Sequence, residues 1–235
     1  MQRWLITGAG RGIGLEMARQ LLQRGDAVIG TVRSEAAARK LRSLFQAEAA
    51  KRMQIEILDV RDRASIARAA LRVTETLDVL LSNAGILGPE RQSTLDTDFD
   101  GFLEALVVNA MGPLAVTQAF LPQLRKSARP RVVAITSRMG SSGYQEDALI
   151  AYQASKAAAN KVVRCLATAL GPSGIIVIAA HPGLVRTDLG GARAADSPKS
   201  ISAAEAVTGL LKIIDGLQAS DNDRFLDYGG REIAW

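Results

Sequence analysis

Short aliphatic runs alternate with longer amphipathic stretches from one end of this chain to the other. Residues 4–7, 27–32, 54–58, 77–81, 131–136, 175–180 and 224–226 read as strands. Between them, residues 15–24, 34–50, 62–74, 98–109, 112–126, 150–170 and 203–217 carry apolar positions at helical spacing. A strand, a helix and another strand, repeated, make βαβ units and a parallel sheet. Several strands are nearly continuous apolar runs, which fits a sheet covered on both faces. The pattern predicts one α/β domain over residues 1–235, a doubly wound sheet of seven mostly parallel strands flanked by helices. Residues 189–201 break the rhythm: they are rich in Gly, Ala, Ser and Pro and show no period, so a mobile lid is expected there.

The turn after the first strand says what such a sheet could hold. Gly8-Ala9-Gly10-Arg11-Gly12-Ile13-Gly14 lies between strand and helix, where a Rossmann-type fold binds phosphate. Glycines let the backbone approach a pyrophosphate, and the helix N-terminus favours its charge. The general G-x-G-x-x-G spacing fails here, because Ile13 and Leu15 stand where its last glycine would be. The cluster reads instead as T-G-x-x-x-G-x-G through Thr7, Gly8, Gly12 and Gly14.

A second feature opens the helix at 150–170. Tyr152 and Lys156 are four residues apart and so share a helix face. An ammonium beside a phenol favours the phenolate, so the Tyr152 pKa is expected to fall, and such a group can trade a proton with an alcohol or carbonyl oxygen. The alternative is a solvated lysine packing its stem on a ring.

Composition narrows the chemistry. His181 is the only histidine, which excludes a His-rich metal site, and no metal is expected. Cys165 is the only cysteine, so no internal disulfide forms. It is expected to be a small buried hydrophobe. Net charge is +5, but the basic residues are scattered singly or in pairs, so no nucleic-acid partner is expected. The longest wholly apolar run is six residues, too short to span a bilayer. No signal peptide precedes the first apolar run, and a cytoplasmic protein is expected.

Taken together, Thr7-Gly8-x-x-x-Gly12-x-Gly14 and Tyr152-x-x-x-Lys156 resemble the short-chain dehydrogenase/reductase family. Further residues match in order: Asn83-Ala84-Gly85 after the fourth strand, Asn109 in the next helix, Ser137 after the fifth strand, and Pro182-Gly183 with Thr187 after the sixth. The Ser137-Arg138-Met139-Gly140-Ser141 stretch and the long loop before Tyr152 are most similar to the C-factor and sniffer-type carbonyl reductase branch. The resemblance implies Tyr152 as general acid/base, Lys156 lowering its pKa and binding the nicotinamide ribose, and Ser137 steadying the substrate oxygen. It implies that Asn109 holds a water linking Lys156 to solvent. For the cofactor it implies contacts from Gly8, Arg11, Gly12, Ile13 and Gly14, from Asp59 and Val60, from Asn83, Ala84 and Gly85, and from Pro182, Gly183, Val185 and Thr187. Asp59 reads equally as a strand-end cap. Ser137 and Tyr152 are 15 residues apart where 13 is commoner in the family, which widens the loop at 139–149.

Cofactor choice follows from residues 31–34, Thr-Val-Arg-Ser. NAD-specific folds carry an acid there for the ribose 2′-hydroxyl. This chain has Arg33, which suits a 2′-phosphate, so NADP(H) is favoured over NAD(H) unless Arg33 is merely solvated. The expected protein is a carbonyl reductase or alcohol dehydrogenase acting on a small carbonyl or alcohol, as a homodimer or homotetramer. Two rivals remain open: a 3-oxoacyl-thioester reductase, and a cofactor-binding signalling protein of low turnover.

Overall fold

The computed structural model describes residues 1–235, the side chains at positions 47 and 48 excepted. In chain order the elements are β1 (Arg3–Ile6), α1 (Gly12–Gln23), β2 (Ala27–Val32), α2 (Glu35–Ser43), α3 (Ala47–Ala50), β3 (Met53–Ile57), α4 (Arg63–Arg72), β4 (Val79–Ser82), α5 (Phe99–Leu106), α6 (Gly112–Leu124), β5 (Arg131–Ile135), α7 (Ile150–Leu170), β6 (Ile176–His181), α8 (Gly191–Ala195), α9 (Ala203–Gly216) and β7 (Phe225–Asp227). The strands form one sheet in the order β3-β2-β1-β4-β5-β6-β7. Every pairing is parallel, so the expected "mostly parallel" sheet is wholly so.

Each strand sends alternate residues to opposite faces, and each face has its own core. Trp4, Ile6, Val79 and Val133 pack under α1 and α9 with Met17, Leu21, Leu210 and Ile214. Leu5, Leu80, Val132 and Ala134 pack on the other side with Ile66 of α4, Phe120 of α6 and Val163 and Leu166 of α7. Chain order reverses between β1 and β4, and a crevice at the carboxyl ends of strands opens at such a point.

Four expectations change. The predicted helix at 34–50 is two pieces, although Ser34 caps the first as expected, accepting from Ala37 N at 3.2 Å. The predicted pair of helices at 98–126 is one continuous path from Phe99 to Leu124, in which Val107–Met111 forms a π-helical turn. This 26-residue path is long and apolar enough to cross a membrane, but Val116, Phe120 and Leu124 are spent on the sheet. Residues 189–201 contain the short helix α8, and the excursion returns to its start, where Ile201 N donates to Leu184 O at 2.9 Å. Cys165 is exposed: the buried face of α7 runs through Val163, Leu166, Ala167 and Leu170, and position 165 falls on the opposite side.

Candidate active site

The glycine turn and the loop after β4 are fastened together. Thr7 Oγ1 accepts from Asn83 N and Ala84 N, both at 3.0 Å. The Asn83 amide donates back to Thr7 O at 3.0 Å and Gly8 O at 3.3 Å. Asn83 is therefore spent on welding two loops. Gly8 sits at φ +71°, in the left-handed region that glycine tolerates. A Cβ on Gly14 would lie 2.4 Å from Gly8 O and 2.6 Å from Asn83 Nδ2, so only glycine fits that close approach. Helix α1 starts here behind Arg11 with no side-chain cap and no acid in its first turn. Its first amides have no acceptors within the helix, and such a terminus favours an anion.

On the far side stand Ser137, Tyr152 and Lys156. Ser137 follows β5, is buried, and caps a 3₁₀ turn at Arg138–Gly140, accepting from Met139 N at 3.2 Å. Lys156 is buried at 4 % exposure and donates to Ile135 O at 3.0 Å. Its ammonium lies 5.7 Å from the centroid of the Tyr152 ring, so the expected side-by-side pair is present. Burial pushes the lysine down to about 8.

The tyrosine departs from expectation. Its phenol is raised above the ordinary value, because burial outweighs the opposing pull of the Ser137 hydroxyl. The ammonium's pull on the phenol is opposed by the desolvation that both groups share.

Asn109 lies in the π turn, a frequent mark of functional helices. Its amide donates to Ile86 O at 2.8 Å and Ser155 Oγ at 2.9 Å, and its oxygen accepts from Ile86 N at 2.9 Å. Both donors are spent, so the side chain could hold a water only through the remaining lone pair of Oδ1. That oxygen faces the lysine across Gly85: a Cβ there would sit 3.1 Å from Asn109 Oδ1 and 3.6 Å from Lys156 Nζ.

Other expected residues divide. Thr187 lies over the glycine turn, its methyl 3.4 Å from where a Gly12 Cβ would be. Ile13 is partly buried, packed on the core beneath α1. Val60 packs against Gly112 at the start of α6. Pro182 and Val185 are buried, and Val185 bridges to Ile201. Gly183 stands at φ +86°. Arg33 is exposed beyond β2. Arg11 is exposed and 3.4 Å from Asp188. Asp59 is held by Arg61 through contacts of 2.7–3.2 Å, which keep its carboxyl below the usual range, with Arg33 adding a weaker pull. Arg61 also reaches Glu104 at 2.7 Å. Asp59 is thus partnered within its own turn, as the strand-end alternative had it.

His181 ends β6, and burial, reinforced by Arg138, pushes it down to about 4. Its Nδ1, Thr136 Oγ1 and Asn160 Oδ1 are buried without a partner among the described residues. Among the described residues no group of three His, Cys, Asp or Glu could hold a metal.

The loops around the mouth are linked too. Arg193 of α8 contacts Glu146 at 2.8 Å, and Tyr144 hydrogen-bonds the same carboxylate. The residue that sequence reasoning missed is Gln92. It is buried in the loop at 86–97, and its oxygen accepts from Tyr152 N at 3.2 Å. No periodicity or motif marks a glutamine in a loop 60 residues from its partner.

Comparison with known proteins gives the family. The family model described as short chain dehydrogenase matches residues 2–198. The C-signal protein of Myxococcus xanthus is 42% identical over 163 residues, 69% of this chain and 95% of that protein. The 1-hydroxy-2-glutathionyl-2-methyl-3-butene dehydrogenase of a Rhodococcus species is 32% identical over 245 residues, covering 100% of both. An NADPH-bound carbonyl reductase from chicken fatty liver superimposes with a TM-score of 0.91 at 32% identity, over 100% of this chain and 99% of that one. The carbonyl reductase Sniffer of D. melanogaster gives 0.91 at 27% identity over 100% of both. The chain belongs to the short-chain dehydrogenase family.

Proposed function

We propose that this short-chain dehydrogenase is an NADP(H)-dependent reductase of small carbonyl compounds, with Tyr152 as its acid. The observation that carries the reading is the Ser137, Tyr152 and Lys156 set, with the buried Lys156 Nζ beside Gly85 of the loop that is fastened to a turn whose Gly14 admits no side chain. The Gly8, Gly12 and Gly14 backbone and the uncapped start of α1 would hold a pyrophosphate. Arg33 and Arg11, both exposed, would reach a 2′-phosphate, and Thr187 and Lys156 the nicotinamide end. The chicken and Pseudomonas aeruginosa carbonyl reductases with NADPH or NADP bound support the same cofactor. When bound, the dinucleotide supplies the hydride.

The protein's own residues handle the oxygen and the proton. A tyrosine raised above its ordinary value stays protonated at neutral pH, so it stands ready to give a proton. In the reducing direction the carbonyl oxygen gains negative charge and takes the phenolic proton. The Ser137 hydroxyl donates to the same oxygen as the charge grows. Lys156, charged below about pH 8, steadies the phenolate that is left. Loops at 86–95, 139–149 and 188–201 would select the substrate.

Likeness to C-signal favours a second reading, a signalling protein of low turnover. The apolar residues Phe99, Leu103 and Met111, exposed along α5 and the π turn, support the homo-oligomer expected from the sequence. A cytoplasmic location remains part of the proposal. The test is NADPH oxidation against aldehydes, ketones, quinones and acyl thioesters, with wild type and Tyr152→Phe. The substitution should lower kcat by about a hundredfold or more and leave NADPH affinity within about twofold. Wild-type kcat in the variant would sink the mechanism, and no turnover of any carbonyl by wild type would favour the signalling reading.

A further inference from the structure

Helix α7 carries Tyr152 in its first turn, yet it has no cap of its own. The residue before it, Leu149, stands at φ +57°, a left-handed conformation that a branched apolar side chain adopts only under constraint, and it makes no side-chain bond to the helix. The first amides of a helix need acceptors from outside the ladder. Here one residue supplies two of them. Gln92 O accepts from Ile150 N at 3.0 Å, and Gln92 Oε1 accepts from Tyr152 N at 3.2 Å.

The other end of the same amide is fixed as well. Gln92 Nε2 donates to Pro89 O at 2.6 Å and Leu87 O at 3.2 Å. Two carbonyls on one side and an amide N–H on the other leave a single orientation for the group. Gln92 is 3 % exposed, so water does not substitute for these partners. Its loop is braced by an antiparallel bridge from Gln92 to Thr97, and Ile86 at its start is held by Asn109.

We propose that Gln92 is a positioning residue for catalysis: it caps the Tyr152 helix from the loop at 86–97 and sets where the phenol stands relative to the substrate oxygen. The inference rests on Tyr152 being the acid. A side chain in the first turn moves with that turn, and a misplacement of about 1 Å at a reacting group costs on the order of a hundredfold in rate. The loop at 86–97 lies beside the proposed substrate mouth. A substrate that presses on it therefore acts on Tyr152 through Gln92 as well as by direct contact with the phenol.

Gln92→Met keeps the volume and removes every side-chain hydrogen bond. Gln92→Glu keeps an acceptor for Tyr152 N and removes the donors. NADPH affinity, kcat on a carbonyl that wild type reduces, and the solvent deuterium isotope effect on kcat are compared. Gln92→Met should lower kcat by about tenfold or more, raise the isotope effect because proton transfer has become slower, and leave NADPH affinity within about twofold. Gln92→Glu should fall between it and wild type in kcat. Wild-type kcat and isotope effect in either variant would overturn the proposal, as would an equal loss of NADPH affinity. If Gln92→Met does not fold, Gln92→Glu must show the same split between kcat and affinity. An inactive wild type would strike at the proposed function. An active wild type killed by Tyr152→Phe but indifferent to Gln92 strikes at this inference alone.

Discussion

Lys156 should destabilise the fold that buries it, by an amount that depends on pH in a defined direction. Burial lowers its pKa from 10.5 to about 8. That gap of about 2.5 units corresponds to roughly 3 kcal/mol at about 1.4 kcal/mol per unit. Below about pH 8 the lysine is charged in both folded and unfolded states, and the fold carries the whole penalty. Between the two values the unfolded chain binds more protons, so stability rises with pH. Above 10.5 the penalty is gone. Lys156→Met keeps the stem and removes the charge. It also leaves Ile135 O, which the ammonium reaches at 3.0 Å, without that partner. The orphaned carbonyl costs about 1–3 kcal/mol at every pH, so it offsets the comparison and gives it no slope. The assay is urea unfolding of wild type and variant at about pH 7.5 and about pH 9.5. Wild-type stability minus variant stability should rise by about 2 kcal/mol between them, the rest being recovered at higher pH. Groups that do not couple to Lys156 cancel between the two proteins, and His181, which does, is held at about 4, well below this pH range. A difference that stays flat with pH, or falls, would refute the reasoning that burial dominates this lysine.

Gly14→Ala should fail differently. Its Cβ would meet Gly8 O at 2.4 Å and Asn83 Nδ2 at 2.6 Å, so one of the two welded loops must move. Such overpacking costs about 1–3 kcal/mol, read as a lower urea midpoint, and NADPH affinity should fall with it. An undisturbed midpoint and affinity would show that the turn is loose. Arg33→Ala should weaken NADPH binding by about tenfold to a hundredfold and leave NADH nearly unchanged. Fluorescence titration of both cofactors checks this, and an equal loss of both would mean that Arg33 does not read the 2′-phosphate.

The sequence made the sheet legible because strands buried on both faces are short aliphatic runs, and the helices between them keep a 3.6-residue period. The glycine turn and the Tyr152–Lys156 pair were legible for the same reason: each is local, fixed by neighbours a few residues away. The π turn at Val107–Met111 was not, since one extra residue in a helical turn leaves the apolar pattern on either side intact. Cys165 was misplaced because its residue type was weighed in place of its position: Val163, Leu166, Ala167 and Leu170 mark the buried stripe by their spacing, and position 165 lies off it.

The direction of the Tyr152 shift marks a deeper limit. A spacing of four residues tells which groups are near each other, and charge alone then favours the phenolate. How far water is excluded from both groups depends on β5, α7 and the loops that cover them, none of which is encoded in that spacing. In an exposed pair the ammonium would set the direction of the phenol's shift, whereas in this buried pair desolvation sets it. Gln92 belongs to the same class of hidden determinant. Its two carbonyl acceptors and two amide donors come from Leu87, Pro89, Ile150 and Tyr152, brought together only once β4 and α7 have docked. The motif residues can therefore be intact while the loop at 86–97 still decides how well the tyrosine is aimed.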